Sequence, residues 1–260
     1  MKRIQTGLRP FFSFYGGKWR CAPYYPKPIF GTIIEAFAGS AGYSLRYPSL
    51  KVHLYDIDPV ICGIWDYCIH AKEEEVLSLP IQFEDIRNLH IPQEARWLLG
   101  FWVNKGVASP CNMPSKWMRN ALPGQLGTYW GEKVRQRIAS QMQHIRHWTI
   151  SQVSFESISF PGPATWFIDP PYSGRCGRMY KYDKVDYCLL ASWVGSRNGC
   201  TIVCEQSGAD WLPFKPFKTI KATEGKHGKH VSHEIIWTKG FAEVGLEWPQ
   251  PSSSSPSLSC

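Results

Sequence analysis

The feature that most constrains this chain is a short apolar strand running into a turn of small residues. Gly31 to Phe37 reads as a buried strand through Ile33 and Ile34, followed by Ala38-Gly39-Ser40-Ala41-Gly42. The pattern then predicts a helix from about Tyr43 and a second strand, Val52 to Tyr55, ending at Asp56. Pro59 to His70 carries apolar residues at helical intervals. Strand, glycine-rich turn, helix, strand ending in an acid is how a doubly wound parallel sheet begins. The pattern resumes late in the chain. Thr165 to Ile168 is a strand running into Asp169, Tyr187 to Val194 a helix, and Thr201 to Cys204 a buried strand. Ile220 to Ala222 and Glu234 to Thr238 form a late antiparallel pair around Gly225-Lys226-His227-Gly228-Lys229. The fold class is α/β, and 260 residues can bury its core without cross-links.

The middle of the chain differs. Residues 96–150 hold eight basic residues and one acid, Glu132, a local excess of +7 within a chain of net charge +8. Seven aromatic residues are interleaved, from Trp97 to Trp148. The first part is rich in Pro, Gly and Asn and reads as irregular. The second, Glu132 to Ile145, is an amphipathic helix with Val134, Ile138, Met142 and Ile145 on one face and Arg135 pointing away from it. Such a segment suits a polyanion, with Lys116, Arg119, Arg135 and Arg137 on phosphates and Trp117 as a stacker or wedge. Any one of these also suits a solvated helix face.

No apolar run is long enough for a signal peptide or a membrane span, so a cytoplasmic protein is expected. The nine cysteines read as reduced thiols without a disulfide framework or zinc site. Lys226, Lys229, His227, His230 and His233 form a second basic loop that lacks metal-ligand spacing. Residues 241–260, ending in a Pro/Ser-rich run, read as a disordered tail. No metal is expected, and a monomer is favoured.

Three motifs carry chemistry. Asp169-Pro170-Pro171-Tyr172 follows the strand Trp166-Phe167-Ile168, at the carboxyl end where open α/β sheets place their sites. A base amine is a poor nucleophile, because its lone pair is delocalised into the ring. Two acceptors on its hydrogens make it more pyramidal. Asp169 supplies one, and the carbonyl of Pro170 the other. Tyr172 offers a flat face to an extruded base. Taken alone, the four residues also suit a proline-stiffened turn. In Glu35-Ala36-Phe37-Ala38-Gly39-Ser40-Ala41-Gly42, small residues admit a ligand to the backbone, and Glu35 can accept from a cofactor's amino group. The dinucleotide pattern G-x-G-x-x-G is absent, with Ala41 at its middle position, which argues against a nicotinamide oxidoreductase. Asp56 is placed to hold ribose hydroxyls. Asp58, before Pro59, reads as a helix cap. Phe14-Tyr15-Gly16-Gly17-Lys18 is a bend that can present a ring and a cation to one ligand, and alone it also suits a surface turn.

In this order the motifs resemble the Dam-like (D12 class) adenine-N6 DNA methyltransferases, including phage and prophage members. The resemblance covers most of residues 11–240. It implies a Rossmann-like class I methyltransferase sheet, made of residues 1–79 and 149–240, with a small DNA-recognition insert at 80–148. It implies S-adenosylmethionine as cofactor, bound by Phe14, Tyr15 and Lys18 of the first motif, by Glu35, Phe37 and Gly39 of the second, and by Asp56. It also implies that Asp169 faces both cofactor and target amine. Double-stranded DNA is the implied partner and direct methyl transfer to a flipped adenine the implied reaction. The sequence departs from the family at Ala36, where a proline is usual, and at Ala41, where a second glycine is usual. The acid and aromatic usual before the last motif's strand are matched best by Ser154-Phe155, with Glu156 and Ser157 as rivals. Methylation of cytosine N4 or of RNA, and a catalytically silent DNA-binding homologue, remain alternatives.

Overall fold

A computed structural model describes residues 7–120, 129–221 and 231–241. Seven strands form one sheet: β1 (Thr32–Glu35), β2 (Lys51–Asp56), β3 (Thr149–Gln152), β4 (Ala164–Ile168), β5 (Gly199–Gln206), β6 (Lys215–Lys221) and β7 (Val231–Lys239). Their order is β3-β2-β1-β4-β5-β7-β6. The first five are parallel, and β7 runs antiparallel to both neighbours. This is a Rossmann-like α/β sheet, the fold class expected, with one late antiparallel strand. The order reverses between β1 and β4, which makes a crevice at their carboxyl ends.

The central strands are apolar on both faces, as strands covered on both sides must be. Ile33, Phe167, Ile202 and Cys204 point to one core, and Ile34, Trp166, Ile168 and Val203 to the other. The first core is closed by the amino-terminal segment, by α1 (Pro59–His70), and by α3 (Gln93–Val103) and α5 (Glu132–Met142). Two short helices, α2 (Glu73–Leu77) and α4 (Lys116–Arg119), lie in the same stretch. The second core is closed by α6 (Tyr187–Gly195) and Phe155.

Local sequence explains α1. Asp58 caps it by accepting from the Val60 N–H at 2.9 Å, and Pro59 opens it with a φ already helical. Its buried Ile61, Ile64, Trp65, Cys68 and Ile69 recur at the 3/4 spacing of one helix face.

Three expectations are corrected, and one strand, β3, has no counterpart among them. The helix expected from Tyr43 is a single 3-10 turn, Ser44–Arg46. Pro48 forces the residue before it out of the helical region, so the turn cannot propagate. Within the segment read as irregular, α3 forms, ahead of the Pro- and Asn-rich stretch. β3 is an edge strand of exposed and half-buried residues, without the apolar alternation that marks a strand in sequence. Arg135 does not point away from the packed side of α5. Its guanidinium donates to the Leu79 carbonyl at 2.8 Å and pairs with Glu132 at 2.6 Å. Residues 222–230, with the basic loop, and the tail from 242 lie outside the described residues.

Candidate active site

β1, β2 and β4 are adjacent and parallel, so Glu35, Asp56 and Asp169 emerge at one edge of the sheet. A cavity of about 430 Å³ lies there, lined by residues of all three motifs. Its size is within the roughly 300–1,000 Å³ common for small-molecule and cofactor sites. Phe14, Tyr15, Lys18, Glu35, Phe37, Gly39, Asp56, Asp169 and Pro171 all line it.

The amino-terminal bend leaves Gly16 and Gly17 exposed but turns Lys18 inward. Lys18 is 6% exposed, and its Nζ lies 2.8 Å from Oδ1 of Asp169 and 3.0 Å from the Gly16 carbonyl. Burial pulls the lysine pKa down, but the carboxylates of Asp169 and Glu234 more than offset this and hold it above its ordinary value. Asp169 is pushed up to about 6, by burial first, with Lys18 pulling the other way.

The glycine turn after β1 is shaped by Asp56. Its Oδ2 accepts from the Gly39 N–H at 3.0 Å and its Oδ1 from the Asp58 N–H at 2.9 Å. A carboxylate oxygen has two lone pairs, so the side chain keeps acceptor capacity towards the cavity. Burial raises its pKa to about 6. Gly39 has φ +43°, and a Cβ there would stand 3.1 Å from the Phe14 ring. Ala41, where the resembled family has glycine, also holds a left-handed backbone, φ +48°. That conformation costs a side-chain-bearing residue about 1–2 kcal/mol. Glu35, 2% exposed, accepts from the Ser44 N–H at 2.8 Å. Burial pushes its pKa up to about 8.

Tyr172 departs from its expected place. Its ring packs against the core with the Lys18 ammonium 4.7 Å from the ring centre, and its hydroxyl donates to Glu234 on β7. A buried phenol needs a partner, and Glu234 holds the ring away from the cavity wall. Pro170 is buried behind the wall as well. The aromatic side chains on the wall beyond the last motif are Tyr180 and Tyr182.

Residues 180–186, which line the cavity, carry no motif in the sequence reading. Tyr180 donates to the Tyr15 carbonyl at 3.1 Å, and its ring lies 5.5 Å from Tyr15 and 5.8 Å from Phe14. It ties the last motif to the first. The available signal was the run Tyr180-Lys181-Tyr182-Asp183-Lys184, whose charged and aromatic residues follow the reactive loop closely. Ser154, Phe155 and Glu156 all reach the cavity, with Ser154 Oγ donating to Glu156 at 2.6 Å and Phe155 5.7 Å from Phe37.

The basic residues separate into two sets. Lys116, Trp117 and Arg119 are exposed on α4, and Trp117 is 79% exposed. Arg137 turns inward, stacks on Trp102 at 5.2 Å and donates to the Pro10 carbonyl at 3.4 Å. Burial lowers its pKa to about 10. Arg135 and Arg137 are half-buried and each donates to a carbonyl, whereas Arg119, which also donates to a carbonyl, that of Pro114 at 3.0 Å, stays exposed. The segment reaches the cavity elsewhere, through Ala108, and the Val107 carbonyl accepts from the Tyr15 N–H at 3.0 Å.

No family model matches the chain, and no curated protein matches it. Solved structures similar to it include a putative methyltransferase, YhhF, from Escherichia coli, with 8% identity over 79% of this chain and 73% of that one and a TM-score of 0.31. A putative methylase, HI0767, from Haemophilus influenzae has 11% identity over 84% and 82%, with a TM-score of 0.30. The glycopeptide N-methyltransferase MtfA, solved with S-adenosylmethionine, has 10% identity over 86% and 78%, with a TM-score of 0.34. No helix among the described residues is long and apolar enough to cross a membrane.

Proposed function

We propose that this protein is an S-adenosylmethionine-dependent methyltransferase acting on N6 of adenine in DNA. The observation that carries the reading is that Asp169, Asp56, Glu35 and Lys18 line one cavity at the crevice of the sheet. The donor set fits the cofactor. Asp56 keeps lone pairs for ribose hydroxyls, Glu35 for an amino group, and Phe37 and Phe155 offer faces to a purine. When bound, the cofactor supplies a sulfonium-activated methyl.

The chain's own residues do the rest. Asp169, on the cavity wall, accepts from the target amine, while Pro170 stays behind the wall and stiffens the loop. With its pKa near 6, Asp169 can also hold the proton that the amine loses. Positioning of the amine in line with the methyl contributes up to about 7–11 kcal/mol of the barrier. The exposed Lys116, Trp117 and Arg119 support duplex docking, and flipping the adenine costs a few kcal/mol. Asp169, rather than a serine, favours adenine over cytosine.

The test is mass spectrometry of nucleosides from unmethylated plasmid DNA incubated with protein and cofactor. N6-methyldeoxyadenosine is expected. N4-methyldeoxycytidine, or methylated nucleosides from RNA alone, would overturn the choice of substrate. Duplex binding without cofactor binding would identify a silent homologue.

A further inference from the structure

The reactive loop contains two prolines in succession, so it has few backbone donors with which to anchor itself. Side chains supply the anchors. Tyr187, the first residue of α6, donates its hydroxyl to the Pro171 carbonyl at 2.6 Å. The N–H of Ser173 donates to Oε2 of Glu205 at 3.1 Å. Glu205 is fully buried near the end of β5. It also accepts from the indole N–H of Trp211 at 3.0 Å and from its neighbour's N–H, that of Gln206, at 2.8 Å. The ring closes because Trp211 packs on Tyr187, with centroids 5.4 Å apart. None of Tyr187, Glu205 or Trp211 lines the cavity.

We infer that Tyr187, Glu205 and Trp211 form a positioning frame that fixes the backbone of the reactive loop, and with it Asp169, for the target amine. This rests on the methyltransferase reading above. On one side of Pro170, Asp169 is held by Lys18. On the other, the Pro171 carbonyl and the Ser173 amide are held by the frame. Pro170, whose φ is fixed by its ring, is therefore clamped between two anchored points. Three N–H donors converge on Glu205, which only a carboxylate can accept without turning a donor towards one of them. Glu205 is thus a device of orientation rather than a cavity acid. Tyr187 and Trp211 are positioning residues in the same sense, since neither touches the ligand space.

The experiment compares Tyr187→Phe and Glu205→Gln with the wild type. Tyr187→Phe deletes one hydroxyl and keeps the ring on Trp211, so it tests the frame even if Glu205→Gln fails to fold. The single-turnover rate is expected to fall about 10- to 100-fold in each, because small misplacements at a reacting centre have effects of that size. Cofactor and duplex dissociation constants are expected to stay within about twofold, the split expected when only the transition state is misaligned. Amide exchange measured by NMR should quicken at Ser173 in Glu205→Gln and stay unchanged at Phe167 in β4. Unchanged rates, or rate losses matched by equal losses of cofactor affinity, would overturn the frame. If the wild type methylates no nucleic acid, the activity reading fails by itself. The exchange at Ser173 still reports whether Glu205 holds the loop, and unaltered exchange there overturns the anchoring.

Discussion

The Nζ of Lys18 lies 2.8 Å from Oδ1 of Asp169, joining the amino-terminal bend to the loop that follows β4. A buried cation and a buried carboxylate each need the other, since an isolated charge in that setting is strongly disfavoured. Lys18→Met should therefore act on Asp169 as well as on any ligand of the lysine. Burial already raises the Asp169 pKa to about 6 with Lys18 pulling it down, so removing the lysine moves it higher. The acid limb of the pH–rate profile should shift to higher pH in Lys18→Met, and Lys18→Arg should move it back part of the way. An acid limb that stays in place would break the link between the pair and activity.

Asp169→Ala should abolish methylation while duplex binding largely survives, because the residue sits at the cavity wall and the exposed basic residues lie elsewhere. The paired measurements are methyl incorporation and a gel or anisotropy titration with DNA. Retained turnover would remove Asp169 from the chemistry.

Glu35 gives a pH dependence of stability with a definite sign. Its pKa is raised from 4.5 to about 8, chiefly by burial, so the folded state holds a proton that the unfolded chain releases. Stability is thus lost as pH rises from about 4.5 to about 8, by an amount on the order of a few kcal/mol for this group. Glu35→Gln has no proton to lose. Without cofactor, its melting temperature should gain on the wild type from pH 5 to about pH 8 and level off by pH 9, followed by thermal denaturation in about one-unit steps. Parallel curves would place Glu35 in a more solvated setting than its 2% exposure implies.

The basic residues make opposite predictions according to where they point. Lys116→Ala should weaken duplex binding and reduce the slope of log K against log salt by about 0.9, the value for one phosphate contact, with little change in melting temperature. Arg137→Ala should lower the melting temperature, because its guanidinium is packed on Trp102 and bonded to the Pro10 carbonyl, and should leave the salt slope alone. A reversed pattern would mean that α5 rather than α4 faces DNA.

Much of the site was legible because its residues are local in sequence. Gly39, Asp56 and Asp169 each follow a strand whose apolar run is visible, and the parallel order carries all three to one edge. The capping by Asp58 was legible for the same reason, since cap and helix are neighbours. What sequence could not give depends on contacts made across the fold. Arg135 and Arg137 look like surface charges until the carbonyls of Leu79 and Pro10 are brought beside them. Tyr172 looks free until β7 delivers Glu234. The run around Tyr180 marks a polar aromatic stretch but not its role, because its partners are Phe14 and Tyr15 from the other end of the chain.

Gly42 allows the closest test of that long-range fit. A Cβ at this position would stand 2.4 Å from the backbone nitrogen of Trp19 and 2.9 Å from the carbonyl carbon of Lys18. Both are backbone atoms, so neither can swing aside as a flexible side chain would. The turn after β1 and the segment carrying Lys18 must separate to admit a methyl. Gly42→Ala should cost about 1–3 kcal/mol, the range for overpacking a filled interior. In a domain of this size each kcal/mol is about 2–4 °C of melting temperature. The displacement carries Lys18 away from Asp169, so cofactor affinity should fall by more than the loss of stability alone would produce. Calorimetric titration well below the melting transition separates the two effects. Full cofactor affinity in a destabilised Gly42→Ala protein would show that the bend moves without disturbing the Lys18–Asp169 pair.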